Sequence, residues 1–213
     1  MTVRYEECPA FPVRFFKFHA PEDLTDDTLE KLKKVNFKRL NEPAGVGTSV
    51  QLQTRPEFLR LHKWFQNCID SIHKNEGYHC DRLVVNKSWG NRSDAKTGDR
   101  HDFHRHPMSY LSGIFYLTQG PPTIFLDPVK DREWAQFHLD GYPDKDCKLF
   151  SHLGPGGLMV FPSYVIHGSE PNYDDVDRYS IAFNTFPQGN YHTSGQEGEY
   201  MCNITVNNVG DYL

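Results

Sequence analysis

The hydrophobic rhythm of the chain changes near residue 77. Before that point apolar positions recur at helical spacing. Leu24, Leu29, Leu32 and Val35 approximate one face over 22–35, and acidic residues crowd its start, where they complement the helix dipole. Phe58, Leu61, Phe65, Cys68, Ile69 and Ile72 mark the apolar face of a second helix over 54–76. Thr54 is suited to cap it, Pro56 to its first turn and Gly77 to its end. Beyond residue 77 short β-rich runs follow one another at 81–89, 101–106, 110–118, 123–127, 148–152, 157–161, 164–168, 178–186 and 201–206. Gly, Pro, Asn and Asp punctuate the gaps. Eight or nine strands behind two helices predict a mainly β (α+β) fold, a sandwich or jelly roll with the helices packed on one outer sheet. A single domain over 1–213 is expected, with 1–77 supporting a core at 80–206. The gap at 128–147 is charged and polar and reads as a loop, of the kind that covers a site.

Alternation within the run at 178–186 sharpens the picture. Tyr179, Ile181 and Phe183 share one face and read as core, whereas Arg178, Ser180, Ala182 and Asn184 share the other. That second face lines a polar cavity. An arginine held there needs an anionic partner, because an unpaired buried charge is costly. Its guanidinium matches a carboxylate through a bidentate fork, to which a serine hydroxyl adds a third bond.

Composition narrows the function classes. A net charge of −5 and a pI near 6.1 argue against a general nucleic-acid binder. The N-terminal stretch MTVRYEECPAFPVRFFKF has no long uncharged apolar run, so neither a signal peptide nor a membrane span is expected. Five scattered cysteines (Cys8, Cys68, Cys80, Cys147 and Cys202) form no CxxC pair, which argues against a zinc finger or a disulfide framework and suits a reducing cytoplasm. The oligomeric state stays open, a homodimer included.

The stretch HDFHRHP at 101–107 gathers three histidines in six positions. It reads as a metal site, a surface patch or the remains of a histidine-rich loop. On a strand, residues two apart point the same way, so His104 and His106 can reach one ion. Asp102 shares their face, while His101 points to the opposite one and reads as an ordinary flanking residue. His167, sixty-one residues after His106, closes an apolar run, and Arg178 follows eleven residues later within R-x-S.

This pattern resembles the 2-oxoglutarate- and Fe(II)-dependent oxygenases. HRHPMSYLSGIFYL, GGLMVFPSYVIHGSEPN and RYSIAFN are similar to a bacterial and phage subgroup of that superfamily, over roughly residues 80–186. The resemblance implies a double-stranded β-helix of eight strands. It implies that His104, His106 and His167 bind iron, that Arg178 pairs with the distal carboxylate of 2-oxoglutarate and that Ser180 supports it. Tyr116, Tyr110 or Ser112 is placed to hydrogen-bond the co-substrate, and Asn184 to touch the metal side of the cavity; Trp89 and Asn86 are weaker candidates. The superfamily's usual middle ligand is a carboxylate in H-x-D or H-x-E. Here His106 stands in that position, with Asp102 as the alternative. The implied cofactors are Fe(II), 2-oxoglutarate and O2, and the implied reaction is oxidative decarboxylation coupled to C–H oxidation of a small molecule or protein side chain. Two other readings compete: a three-histidine cupin-type dioxygenase that uses no 2-oxo acid, and a non-catalytic metal-binding jelly roll.

Overall fold

The computed structural model describes residues 13–39, 46–128, 148–192 and 200–206. The predicted loop at 128–147 lies outside them from residue 129 onward, and so do the first twelve residues of the N-terminal stretch. In chain order the elements are β1 (Phe16–His19), α1 (Glu22–Lys33), β2 (Lys38–Arg39), β3 (Gly47–Val50), α2 (Leu59–Glu76), β4 (Arg82–Ser93), β5 (Leu111–Tyr116), β6 (Thr123–Leu126), β7 (Lys148–Ser151), β8 (Gly157–Pro162), β9 (His167–Ser169), β10 (Arg178–His192) and β11 (Tyr200–Ile204).

Two antiparallel sheets face each other. The larger runs β1-β8-β5-β10-β4-β3-β2, with β11 added to the far end of β10, and the smaller runs β7-β6-β9. The segment before β5 joins the smaller sheet through a bridge between His104 and His167. From β4 onward the chain therefore passes repeatedly between the sheets, in the winding of a double-stranded β-helix. The mainly β jelly roll expected from the strand count is present.

Alternation sorts side chains to the two faces of the larger sheet. Leu83, Val85, Phe115, Leu158, Val160, Ile181 and Phe183 lie on the outer face in one cluster with the apolar stripe of α2. Phe65 of α2 sits with its ring 4.6 Å from Phe183 and 5.7 Å from Phe115. The inner face carries Ile114, Tyr116, Met159 and Phe161, which pack against Phe125 of β6.

Both predicted helices form, with different starts and ends. α2 begins at Leu59 after two 3-10 turns at Leu52–Thr54 and Pro56–Phe58, so Thr54 does not cap it; the Thr54 hydroxyl donates to Gln51 O at 2.9 Å instead. Gly77 ends it in the left-handed conformation, at φ 67°. Three strands in the first 77 residues, β1 to β3, are new relative to the sequence reading. They are set by pairing, β1 with β8, β3 with β4 and β2 with β3, which no local pattern announces.

Gly113 faces the outer core opposite Phe183, where an added Cβ would lie 2.3 Å from the Phe183 ring. Gly113→Ala is therefore expected to destabilise the protein by about 1–3 kcal/mol through overpacking, read as a lower denaturant midpoint at unchanged slope. A second stability test concerns His62 of α2, which is 2% exposed. Its Nδ1 bonds Phe58 O at 2.9 Å and its Nε2 bonds the Ser88 hydroxyl at 2.7 Å. Burial pushes its pKa from 6.5 down to about 4. The unfolded chain thus takes up this proton first as the pH falls. The stability that neutral His62 supports is full above pH 6.5 and is lost between there and pH 4, at about 1.4 kcal/mol per pH unit. Denaturant unfolding over pH 7 to 4 should show this slope, and His62→Asn should flatten it by one proton.

Candidate active site

The pocket between the sheets opens where the segment at 101–106 runs beside β9. His104 N–H donates to His167 O and His167 N–H to His104 O, each at 2.9 Å. His106 N–H donates to Ser163 O at 3.1 Å, beyond the end of β8. These bonds bring three imidazoles together from two distant parts of the chain. The nearest ring nitrogens of His104, His106 and His167 all lie within 4.8 Å of one another, and Nε2 of His104 is 3.2 Å from Nε2 of His106.

Each ring is held from behind. His104 Nδ1 lies 2.7 Å from Asp102 O, and His167 Nδ1 lies 3.0 Å from Val165 O. A carbonyl oxygen only accepts, so each Nδ1 carries the proton and each Nε2 presents a lone pair. His106 Nδ1 bonds Asn184 Oδ1 at 2.6 Å, and that oxygen also accepts from the Ser112 hydroxyl at 3.0 Å. Ser112 in turn lies 2.8 Å from Ser163, and Ser163 donates to Ser109 at 2.7 Å. The hydroxyl chain fixes the amide, and the amide fixes the tautomer of His106. Three lone pairs converge on one point with no proton between them, a donor set that fits a borderline cation such as Fe(II). Burial lowers the pKa of His106 to about 4 and of His167 to about 3, so protons do not occupy these nitrogens at neutral pH.

Asp102 does not join the triad. Its carboxylate pairs with Arg100 at 3.3 Å on the surface, and only its backbone carbonyl reaches His104. His101 does not point away as strand alternation predicted. Residues 101–106 form no regular strand beyond the bridge at His104, so the two-residue period does not apply, and His101 lines the pocket.

The pocket runs from the triad to Arg178. Arg178 is 3% exposed. Its guanidinium donates to Thr123 Oγ1 at 3.2 Å and to Ser180 Oγ at 3.4 Å, and it lies over the Tyr116 ring at 5.5 Å. Among the described residues no carboxylate pairs with it. Burial lowers its pKa and so opposes the charge. The Thr123 oxygen also accepts from Tyr116 at 2.9 Å, which leaves its own proton free for the pocket. A fully buried cation flanked by two hydroxyls fits the far carboxylate of a dicarboxylic 2-oxo acid.

Of the residues expected at the site, the three histidines, Arg178, Ser180 and Trp89 line this pocket. Tyr116 and Asn184 stand behind its wall, bonded to Thr123 and His106 respectively. Ser112 is committed to Ser163 and Asn184, Tyr110 is 46% exposed beside Tyr78, and Asn86 is not on the wall. Thr123 and Asn91 line the pocket without having been singled out from the sequence. Neither sits in a motif. Asn91 reaches the inner face because β4 pairs with β10 in a register that sets it opposite Ser180.

Residues 87–184 match the family described as "Putative 2OG-Fe(II) oxygenase". No curated protein matches the chain in sequence. Among solved structures the chain is similar to the non-heme alpha-ketoglutarate-dependent epimerase SnoN from nogalamycin biosynthesis, at 13% identity and a TM-score of 0.62, covering 90% of this chain and 87% of that one. It is also similar to a Pseudomonas putida prolyl-4-hydroxylase, at 13% identity and a TM-score of 0.61 over 83% and 94% of the two chains. HygX from Streptomyces hygroscopicus, solved with nickel and 2-oxoglutarate bound, is 13% identical with a TM-score of 0.57 over 91% and 93%. At this identity the likeness is one of fold, the double-stranded β-helix already traced. Motif, fold and the family match over residues 87–184 agree in pointing to the 2-oxoglutarate- and Fe(II)-dependent oxygenases.

Proposed function

We propose that His104, His106 and His167 hold Fe(II) through their Nε2 atoms, and that Arg178, with Ser180 and Thr123, holds the far carboxylate of 2-oxoglutarate in the same pocket. Bound Fe(II) supplies the oxidative decarboxylation of 2-oxoglutarate by O2 to succinate and carbon dioxide, with the second oxygen atom going to a C–H bond of the substrate. The chain's own groups bind, orient and exclude water. Asp102 O, Val165 O and Asn184 Oδ1 keep the ligand nitrogens unprotonated and aimed. Arg178 fixes the co-substrate's distance from the triad, and the apolar cluster of Ile114, Phe125, Met159 and Phe161 keeps the inner wall dry.

The observation that carries the reading is the combination: a three-nitrogen donor set and, in the same cavity, a buried arginine with no carboxylate partner among the described residues. A three-histidine dioxygenase that uses no 2-oxo acid shares the donor set but has no task for Arg178. Anaerobic loading with Fe(II), followed by 2-oxoglutarate, ascorbate and air, should release succinate in substrate-uncoupled turnover. A protein that binds iron yet neither binds 2-oxoglutarate nor turns it over would sink the proposal. The oxidised substrate is a small molecule or a protein side chain. We place the protein in a reducing cytoplasm, where Cys68 and Cys80 are free thiols. Among the described residues no helix is long and apolar enough to cross a membrane.

A further inference from the structure

Two polar groups on the pocket wall are left over once the triad and the Arg178 cluster are accounted for. Asn91 is 5% exposed, and its Oδ1 has no hydrogen-bond partner. His101 likewise buries an Nε2 without a partner. Folded proteins keep few such atoms, and each calls for a partner such as a ligand, water or ion. Both residues line the cavity that holds Arg178 and the three histidines; the other unpartnered side-chain atoms among the described residues do not.

Their placement is built into the fold from two sides. Asn91 stands directly across from Ser180 in the β4–β10 register, so the two side chains share the inner face. His101 comes from the segment that runs beside β9 of the smaller sheet. Its N–H donates to Ser169 Oγ at 2.9 Å and its carbonyl accepts from Ser169 N–H at 3.0 Å, which pins the residue against β9. The imidazole lies within electrostatic reach of Arg178 at one end and of His104 and His106 at the other. Added Cβ atoms would crowd this segment: one at Gly168 would lie 2.8 Å from His101 O. The backbone at His101 therefore packs closely against β9.

We propose that Asn91 and His101 form a second clasp on the dicarboxylic 2-oxo acid, contacting it along its length between the Arg178 end and the ligand triad. The inference rests on the co-substrate reading above. An asparagine amide offers two N–H donors and a neutral imidazole one, whereas a carboxylate offers only acceptors. The Asn91 amide, turned so that Nδ2 stands where the unpartnered Oδ1 does, and the Nε2–H tautomer of His101 thus meet the anion as donors without carrying charge themselves. They set its orientation, which a single arginine at one end cannot do.

The test is calorimetric titration of the full, metal-loaded chain with 2-oxoglutarate under anaerobic conditions, beside a separate metal titration. His101→Phe and Asn91→Leu should each weaken 2-oxoglutarate binding by about 10- to 100-fold, the effect of losing a hydrogen bond to a charged group. His101→Gln, which keeps a donor, should recover most of the loss. Metal affinity should stay at the wild-type value throughout. Asn91→Ser, which keeps a hydroxyl in a smaller volume, reads the same position if the leucine variant does not fold. Unchanged 2-oxoglutarate affinity in these variants, or a parallel fall in metal affinity, overturns the clasp. A wild-type chain that binds metal but no 2-oxoglutarate overturns the co-substrate reading itself, and the clasp with it.

Discussion

Replacing Arg178 with methionine is expected to remove 2-oxoglutarate binding while leaving the protein as stable as before, or more so. Arg178 is 3% exposed and has no carboxylate partner among the described residues, so the unliganded chain carries the cost of a buried charge. Two hydroxyls and the Tyr116 ring offset part of that cost. Methionine has a similar length, fills the space with flexible apolar atoms and removes the charge. The bound state changes in the opposite direction. A 2-oxo dicarboxylate entering the variant would bury its far carboxylate against Thr123 and Ser180 alone. Breaking one side of such a buried pair costs about 3–5 kcal/mol, or about two to four orders of magnitude in affinity. Calorimetry with 2-oxoglutarate and denaturant unfolding of the metal-free chain measure the two halves separately. Weaker binding with undiminished stability separates a ligand-binding arginine from a structural one; a variant that loses stability and keeps its affinity contradicts the assignment.

Arg178 also shows why part of this site was legible in the sequence. Its strand, β10, is long and buried on one face, so strict alternation sorts Tyr179, Ile181 and Phe183 to the helices and Arg178 and Ser180 to the cavity. The same period fails at 101–106. There His104 and His106 converge as expected, but through a bridge to His167 in one case and bonds to Ser163 and Asn184 in the other. The two rings therefore come together through cross-strand bonds rather than through strand alternation, which misplaces His101. Thr123, Asn91 and the bond from His106 to Asn184 depend on which strands become neighbours, and a single sequence does not state that register. The short strands β1 to β3 were hidden for a related reason. β2 has two residues, both exposed, and pairing with β3 alone defines it.

His106→Ala should lower Fe(II) affinity by more than about 100-fold, since loss of a mere supporting partner already costs 10- to 100-fold. The variant leaves two neutral imidazoles and no group able to replace the third. Asp102 stays paired with Arg100 on the surface, so Asp102→Ala should bind metal as the wild type does. His106→Asp is the informative contrast. It turns three neutral donors into two imidazoles and a carboxylate, restoring a negative charge to the site. The carboxylate no longer needs an acceptor behind it. The Ser112 hydroxyl can rotate and the Asn184 amide can turn to present N–H instead, because both already lie at this position in bonding contact with each other. Metal affinity should then recover towards the wild-type value or exceed it, at a cost in reach because aspartate is shorter than histidine. Asn184→Ala should fall between, losing about 10- to 100-fold by freeing the His106 ring. Anaerobic titration with Fe(II), or with Co(II) followed by its ligand-field absorption, ranks the four variants. Undiminished affinity in His106→Ala, accompanied by a loss in Asp102→Ala, would transfer the third ligand to the carboxylate. A ranking in which Asn184→Ala matches the wild type would show that the serine–asparagine chain packs the core without aiming the metal ligand.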